Sequence, residues 1–235
     1  GAQYISSFTY EARKAVGIVA DCYSSIIEKE GTDKNIEITL DCIKHAVTRG
    51  RLVPINRRKS SSSREVGKIN GLGVNGFIGN VIEFEAICFD REDEAGKVRF
   101  NEAAGSMTKD SLFNALSVVR KITGKNMNKY DIHVNCVGGG KVDGPSAGAA
   151  ITCLIYSVVM EKPARQDTCI TGEISIRGGI KAVGGVVEKI YAAKRAGFKY
   201  VIVPEENLQE AINIEGINIL PAVNIEDIIR FMFEE

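Results

Sequence analysis

The sequence predicts a mixed α/β domain preceded by a small helical unit, and three observations carry that reading. Residues 10–49 hold two stretches with apolar residues at helical spacing. Residues 57–65, Arg-Arg-Lys-Ser-Ser-Ser-Ser-Arg-Glu, are polar, serine-rich and without periodicity. From residue 66 onward, short β-branched runs alternate with helical patterns, as expected for strands and helices interleaved in one layered domain. The predicted organisation is a helical unit at 1–56, a linker at 57–65 and the α/β domain at 66–235.

In chain order, residues 10–30 read as an amphipathic helix with Val16, Val19, Ala20, Tyr23, Ile26 and Ile27 recurring on it, ended by Gly31. A short extended piece at 36–38 leads to Thr39, which caps a second helix through Arg49 with Leu40, Ile43, Ala46 and Val47 on one face. Gly50 and Pro54 close it. Strands are predicted at 66–73, 81–90, 97–100 and 130–137, and a helix at 109–123 with Leu112, Leu116 and Val119 facing one way. An apolar helix follows at 147–160. Strands at 168–173, 200–204 and 217–220 then alternate with helices at 186–196, 206–212 and 225–233.

The bulk composition excludes several classes. Lys+Arg and Asp+Glu both total 30, so the formal net charge is zero, and no basic footprint of a nucleic-acid binder is present. The six cysteines are scattered without a Cys-x-x-Cys pair, which suits reduced thiols in a cytoplasmic protein. The two histidines, His45 and His133, show no metal-ligand spacing, so no metal is expected. His133 and Cys136 fall on opposite sides of a strand and read as structural. No run reaches the roughly 20 apolar residues of a membrane span. No signal-peptide pattern opens the sequence, and Gly1-Ala2 reads as a remnant ahead of a segment cut from a longer chain.

Two motifs carry chemistry. In Asp143-Gly144-Pro145-Ser146-Ala147-Gly148, Pro145 suits the first helical position, which leaves Ser146 in the first turn. Free N–H groups and the positive dipole end there favour a developing oxyanion. The plainer reading is a first-turn serine with no chemistry. The second motif is Gly184-Gly185-Val186-Val187-Glu188-Lys189. The helical neighbours of Lys189 at three and four positions are Gly185, Val186, Ala192 and Ala193, all apolar. An amine there loses solvation, its pKa falls, and it can act as a base. The plainer reading is a lysine with a buried stem and a wet head. Thr171, in Thr171-Gly172-Glu173 at a strand end, offers a hydroxyl that could orient that amine. Gly138-Gly139-Gly140-Lys141 is not a phosphate loop, because Val142 follows the lysine and Asn135 stands where a glycine is needed.

These residues resemble the proteolytic domain of the ATP-dependent Lon proteases. That family carries an Asp-Gly-Pro-Ser-Ala-Gly box, a Thr-Gly-Glu strand leading to an Arg-Gly turn (here Arg177-Gly178), and a Gly-Gly helix with a lysine. Ile202-Val203-Pro204 with Glu205-Glu206-Asn207, and Tyr130-Asp131-Ile132-His133-Val134, match as well. The resemblance covers residues 66–235. It implies a Lon-type α/β fold, Ser146 as nucleophile, Lys189 as general base, Thr171 as the hydroxyl positioning Lys189, Asp143 flanking the nucleophile, and backbone N–H groups around Gly144 and Ser146 as the oxyanion donors. It also implies polypeptide substrates and a homo-oligomer, typically a hexamer. The helices up to residue 56 are similar to the end of an AAA+ helical subdomain. No Walker motif is present, so ATP and Mg2+ are expected only for an ATPase module of the parent. Val186-Val187 before Glu188, and Gly-Gly-Gly-Lys-Val before the serine box, depart from the commonest bacterial pattern and resemble a Lon-B-like subgroup. Two alternatives stay open: a latent assembly module that keeps the fold with an inert site, and, remotely, a nucleic-acid or nucleotide module.

Overall fold

The computed structural model describes residues 1–6, 8–9, 11–31, 36–52, 59–76, 78–91, 95–138 and 142–234. The chain divides into two compact units, Gly1–Arg57 and Arg58–Glu235. The predicted start of the linker at 57 lies outside the described residues.

The first unit contains α1 (Ala2–Ile5), α2 (Ala12–Glu30) and α3 (Leu40–Arg49). Thr39 caps α3 as expected, its hydroxyl accepting from the Cys42 N–H at 3.3 Å. The face of α2 differs from expectation. Its core residues are Ile18 and Cys22, which join Ile5, Ile43 and Val47, while Val16, Val19 and Tyr23 are exposed. Apolar residues lie on more than one side of α2, so spacing alone does not fix which side meets α3.

The second unit opens with β1 (Arg64–Glu65), β2 (Lys68–Asn75), β3 (Ile78–Asp90) and β4 (Val98–Phe100), followed by α4 (Ser106–Thr123), β5 (Tyr130–Val137) and α5 (Gly148–Met160). Next come β6 (Ala164–Arg165), β7 (Thr168–Ile170), β8 (Glu173–Ile174), β9 (Ile180–Lys181) and α6 (Val186–Arg195). The chain ends with β10 (Tyr200–Pro204), α7 (Leu208–Ala211), β11 (Asn218–Ala222) and α8 (Ile225–Phe233). A seven-stranded sheet runs β11-β10-β7-β2-β3-β5-β4. β11, β10, β7 and β2 are mutually parallel, β2-β3-β5 is an antiparallel meander, and β4 joins β5 in parallel. The α/β class read from the sequence is therefore the observed one.

The sheet is covered on both faces. Ile69 and Phe84 belong to a core shared with α4, α5 and α8, whereas Leu72 belongs to a second core with Val186, Ile190 and Ala193 of α6. Residues 69 and 72 of one strand point to opposite faces because side chains alternate, so α5 and α6 sit on opposite sides of β2. The predicted strand at 168–173 is broken. β7 ends at Ile170, beside Gly71 of β2, and Glu173 starts the separate β8–β9 hairpin. The break arises because the Gly172 N–H is drawn to the Ser146 carbonyl (3.0 Å) and not to a sheet neighbour. The predicted strand at 66–73 begins two residues late, because Gly67 takes φ 71° in a turn.

That turn is tied to the end of α5. The Gly67 N–H donates to Ser157 Oγ at 2.9 Å, and the same hydroxyl donates to the Lys162 carbonyl at 2.6 Å. Ser157 is fully buried. Ser157→Ala is expected to cost about 1–3 kcal/mol in urea unfolding, because it strands the buried Gly67 N–H and the part-buried Lys162 carbonyl. Ser117→Ala, at a half-buried serine whose hydroxyl bonds only the exposed Phe113 carbonyl, should stay within about 0.5 kcal/mol. A Ser157→Ala change as small as that control would contradict this account.

Candidate active site

Ser146 is placed by its surroundings before its own chemistry matters. Val142 docks on the segment ahead of α4: its N–H donates to the Ala103 carbonyl at 2.8 Å, and its carbonyl accepts from Gly105 N–H at 2.9 Å. The buried Thr108 hydroxyl donates to the same carbonyl at 2.9 Å. Asp143 Oδ1 accepts from the Met107 N–H at 3.2 Å. The residue at the N-cap of α4 is Gly105, which has no side chain to offer, so Asp143 supplies the cap and sets a carboxylate at the positive end of the helix. The glycine loop at 139–141 lies outside the described residues.

Pro145 starts a single 3-10 turn, Pro145–Ala147, that runs straight into α5, with Ser146 half-buried in it. The Ser146 carbonyl accepts from Gly172 N–H, and the Gly172 carbonyl accepts from Ala149 N–H, each at 3.0 Å. The serine turn and the Thr171-Gly172 segment are thereby stitched together. The fit is tight. A β-carbon on Gly148 would stand 2.7 Å from Ile174 Cγ2 and 2.9 Å from Ile174 N. The small residues after Ser146 permit this approach.

Thr171 follows the end of β7 and is fully buried, with its N–H donating to the Ile202 carbonyl at 3.0 Å. Its hydroxyl is the one buried side-chain polar atom without a hydrogen-bond partner among the described residues. Such an orphan costs free energy and calls for an explanation.

Lys189 lies in the second turn of α6 and is 1% exposed. Its helical neighbours Val186, Ala192 and Ala193 are buried as the sequence predicts. No ion pair or side-chain hydrogen bond engages its amine among the described residues. Burial alone lowers its pKa from 10.5 to about 8. The nearby Lys194 is different: it is exposed and donates to the Glu215 carbonyl at 2.7 Å.

The serine turn, β7 with Thr171 just beyond it, and α6 all border β2. The turn and α6 reach it from opposite faces. Ser146 is joined by a backbone hydrogen bond to Gly172, the residue after Thr171, but no hydrogen bond links Lys189 to the Ser146 or Thr171 hydroxyl among the described residues. Sequence reasoning named Asn207 only within a matching motif and passed over Gly79; they contact the loop before α6 and α6 itself. An asparagine three positions after Pro204 is a recognisable turn signal, but its partner cannot be read from the sequence. No group of three or more His, Cys, Asp or Glu residues that could hold a metal occurs among the described residues. None of the six cysteines is in a disulfide.

The buried lysine has a consequence for stability. Below pH 8 both the folded and unfolded chains carry its proton, so the folded state bears the whole burial cost. Between about 8 and 10.5 the folded chain has lost the proton and the unfolded chain has not, so wild-type stability climbs with pH. Lys189→Met is therefore expected to be more stable than wild type at neutral pH, on the order of 1–3 kcal/mol, with the gap closing as the pH rises through that window. Chemical unfolding at several pH values checks this. A variant less stable than wild type at neutral pH, or a gap indifferent to pH, contradicts it.

Comparison with known proteins agrees with this architecture. The family described as Lon protease (S16) C-terminal proteolytic domain matches residues 44–235. Lon protease 2 of Bacillus subtilis is 32% identical over 97% of this chain, which covers 43% of that protein. The archaeal Lon protease of Thermoplasma volcanium is 32% identical over 91% of the chain and 32% of its own length. That of Thermoplasma acidophilum is 35% identical over 70% of the chain and 27% of its own length. The chain thus spans less than half the length of these relatives. No helix among the described residues is long and apolar enough to cross a membrane. The match over most of its length, on an α/β domain whose serine box, Thr-Gly-Glu segment and lysine helix all border one strand, makes this chain a member of the Lon proteolytic-domain family.

Proposed function

We propose that this chain is a serine peptidase domain that hydrolyses peptide bonds with Ser146 as nucleophile and Lys189 as general base. The observation that carries the reading is Lys189, a residue 1% exposed whose amine is unpaired among the described residues and lowered to about 8, on a helix that borders the same strand as the serine turn. A lysine held near neutrality can be deprotonated when it is needed.

In this mechanism the neutral amine takes the proton of Ser146 Oγ as that oxygen attacks the substrate carbonyl carbon. N–H groups of Gly144 and Ser146 receive the developing oxyanion at the free-amide end of the turn. The tetrahedral intermediate collapses, and the leaving amine takes the proton back from the Lys189 ammonium. Lys189 then deprotonates a water that attacks the ester, releasing the acid product and restoring Ser146. The orphan Thr171 hydroxyl is available to hold the Lys189 amine in line. Asp143 takes no part in proton transfer; its cap on α4 anchors the backbone that leads into the serine turn. The substrates proposed are unfolded or regulatory polypeptides. The ATP and Mg2+ requirement belongs, in this proposal, to an ATPase module of a longer parent, assembled as a hexamer.

A second reading is an assembly module that keeps the fold while its site is inert. The missing hydrogen bond between Ser146 and Lys189 favours it, although catalytic hydrogen bonds often tighten only with substrate bound. It expects no covalent adduct on Ser146 in any assembly state.

Hydrolysis of a fluorogenic unstructured peptide, followed across pH 6–10, tests the proposal. The rate should rise with pH as Lys189 loses its proton, with a midpoint near 8. Ser146→Ala and Lys189→Met should abolish it, and Thr171→Val should lower kcat by roughly tenfold to a hundredfold. Hydrolysis undiminished in Ser146→Ala would end the assignment.

A further inference from the structure

A base that must meet a serine across a strand depends on how its helix is seated. Two contacts outside Ser146, Thr171 and Lys189 seat α6.

The first grips the loop before the helix. Asn207, 4% exposed, ends the short turn Glu205–Asn207 that follows β10. Its Oδ1 accepts from the Val183 N–H at 2.9 Å, and its Nδ2 donates to the Val183 carbonyl at 3.1 Å and to Glu210 Oε1 at 2.7 Å. One side-chain amide thus takes both backbone groups of Val183, as an antiparallel strand partner would. Beside it, Glu206 Oε2 accepts from the Ala182 N–H at 3.2 Å. Val183 stands two residues before Gly185, the N-cap of α6 at φ 66°, where a β-carbon would come within 2.9 Å of Val74 Cγ1. The chain therefore enters α6 along one path.

The second contact sets the depth of the helix. Gly79 of β3 lies against α6 at the turn that carries the lysine. A β-carbon there would overlap the Glu188 carbonyl and stand 2.9 Å from the backbone nitrogen of Lys189. The Gly79 carbonyl also accepts from an Arg195 guanidinium N–H at 3.3 Å, in the last turn of α6.

We infer that Asn207 and Gly79 are positioning residues for Lys189: Asn207 fixes the entry of α6 and Gly79 lets its middle turn lie directly on β3, so that the amine stays at one depth beside β2. The inference rests on the reading of Lys189 as the base. Among the described residues of the surrounding elements, Lys181 pairs with Glu206, Lys68 pairs with Glu83, and Glu210 accepts from the Asn207 amide. Burial is the sole cause of the lowered Lys189 pKa. Any change of seat that admits water raises that value toward 10.5.

The test uses the whole chain and three variants. Asn207→Leu removes the clamp. Asn207→Asp keeps the acceptor for Val183 N–H but turns a carboxylate toward the Val183 carbonyl and Glu210. Gly79→Ala pushes α6 off β3. The 13Cε resonance of Lys189, assigned through Lys189→Arg, is titrated in each, and the pH dependence of peptide hydrolysis is measured beside thermal unfolding. The wild-type midpoint should lie near 8. In the variants it should rise by about one unit or more. kcat should fall roughly tenfold to a hundredfold, with KM changed less.

Folded variants whose titration midpoint stays at the wild-type value overturn the inference, even where Tm or the rate has dropped, because lost stability alone leaves the midpoint in place. If Asn207→Leu does not fold, Asn207→Asp and Gly79→Ala decide. The titration needs no turnover. A wild-type chain without Ser146-dependent hydrolysis would therefore sink the peptidase reading while the seat of Lys189 is still judged.

Discussion

Lys189 is all but withdrawn from water, at 1% exposure, and no carboxylate among the described residues meets its amine. An ammonium in that position is costly, and the folded chain lessens the cost by holding the proton less tightly. Burial here works against stability at neutral pH and creates reactivity there. Such a group persists only where the structure around it leaves no alternative. Val186, Ile190 and Ala193 anchor α6 in the core with Leu72, Val201 and Val203, so the helix cannot roll to lift Lys189 into solvent without exposing that apolar surface.

β2 is the element on which this depends. It is parallel to β7 on one side and antiparallel to β3 on the other, and it carries α5 on one face and α6 on the opposite face. The serine turn and the lysine helix therefore approach a single strand from two sides, close to where β7 stops. Thr171, just past that stop, occupies a fully buried position with an unspent hydroxyl. Crevices at the carboxyl ends of parallel strands are where open α/β sheets characteristically bind ligands. Here the antiparallel β2–β3 hairpin closes one side, and Gly79 lets it come close enough to touch α6.

Much of this was legible in the sequence, because the signals were local. Thr39 announced a cap, the apolar neighbours of Lys189 announced burial, and Pro145 announced a turn with Ser146 in it. What escaped depended on long-range partners. The break at Thr171 follows from Ser146 capturing the Gly172 N–H, a pairing between residues distant in sequence. The exposed side of α2 follows from where α3 packs. Asp143 read as flanking the serine, and that its carboxylate caps α4, 36 positions away in sequence, could be seen only in the fold. Asn207 and Gly79 contribute through backbone contacts that no periodicity announces.

The central claim is that a buried lysine activates Ser146. The most direct test is to treat the chain with a peptidyl fluorophosphonate at mildly alkaline pH and locate the adduct by mass spectrometry, in wild type and in Lys189→Met. The account predicts a single adduct on Ser146 that is lost in the variant. No adduct in wild type, an adduct on a different serine, or labelling of Ser146 that persists undiminished without Lys189 would contradict it.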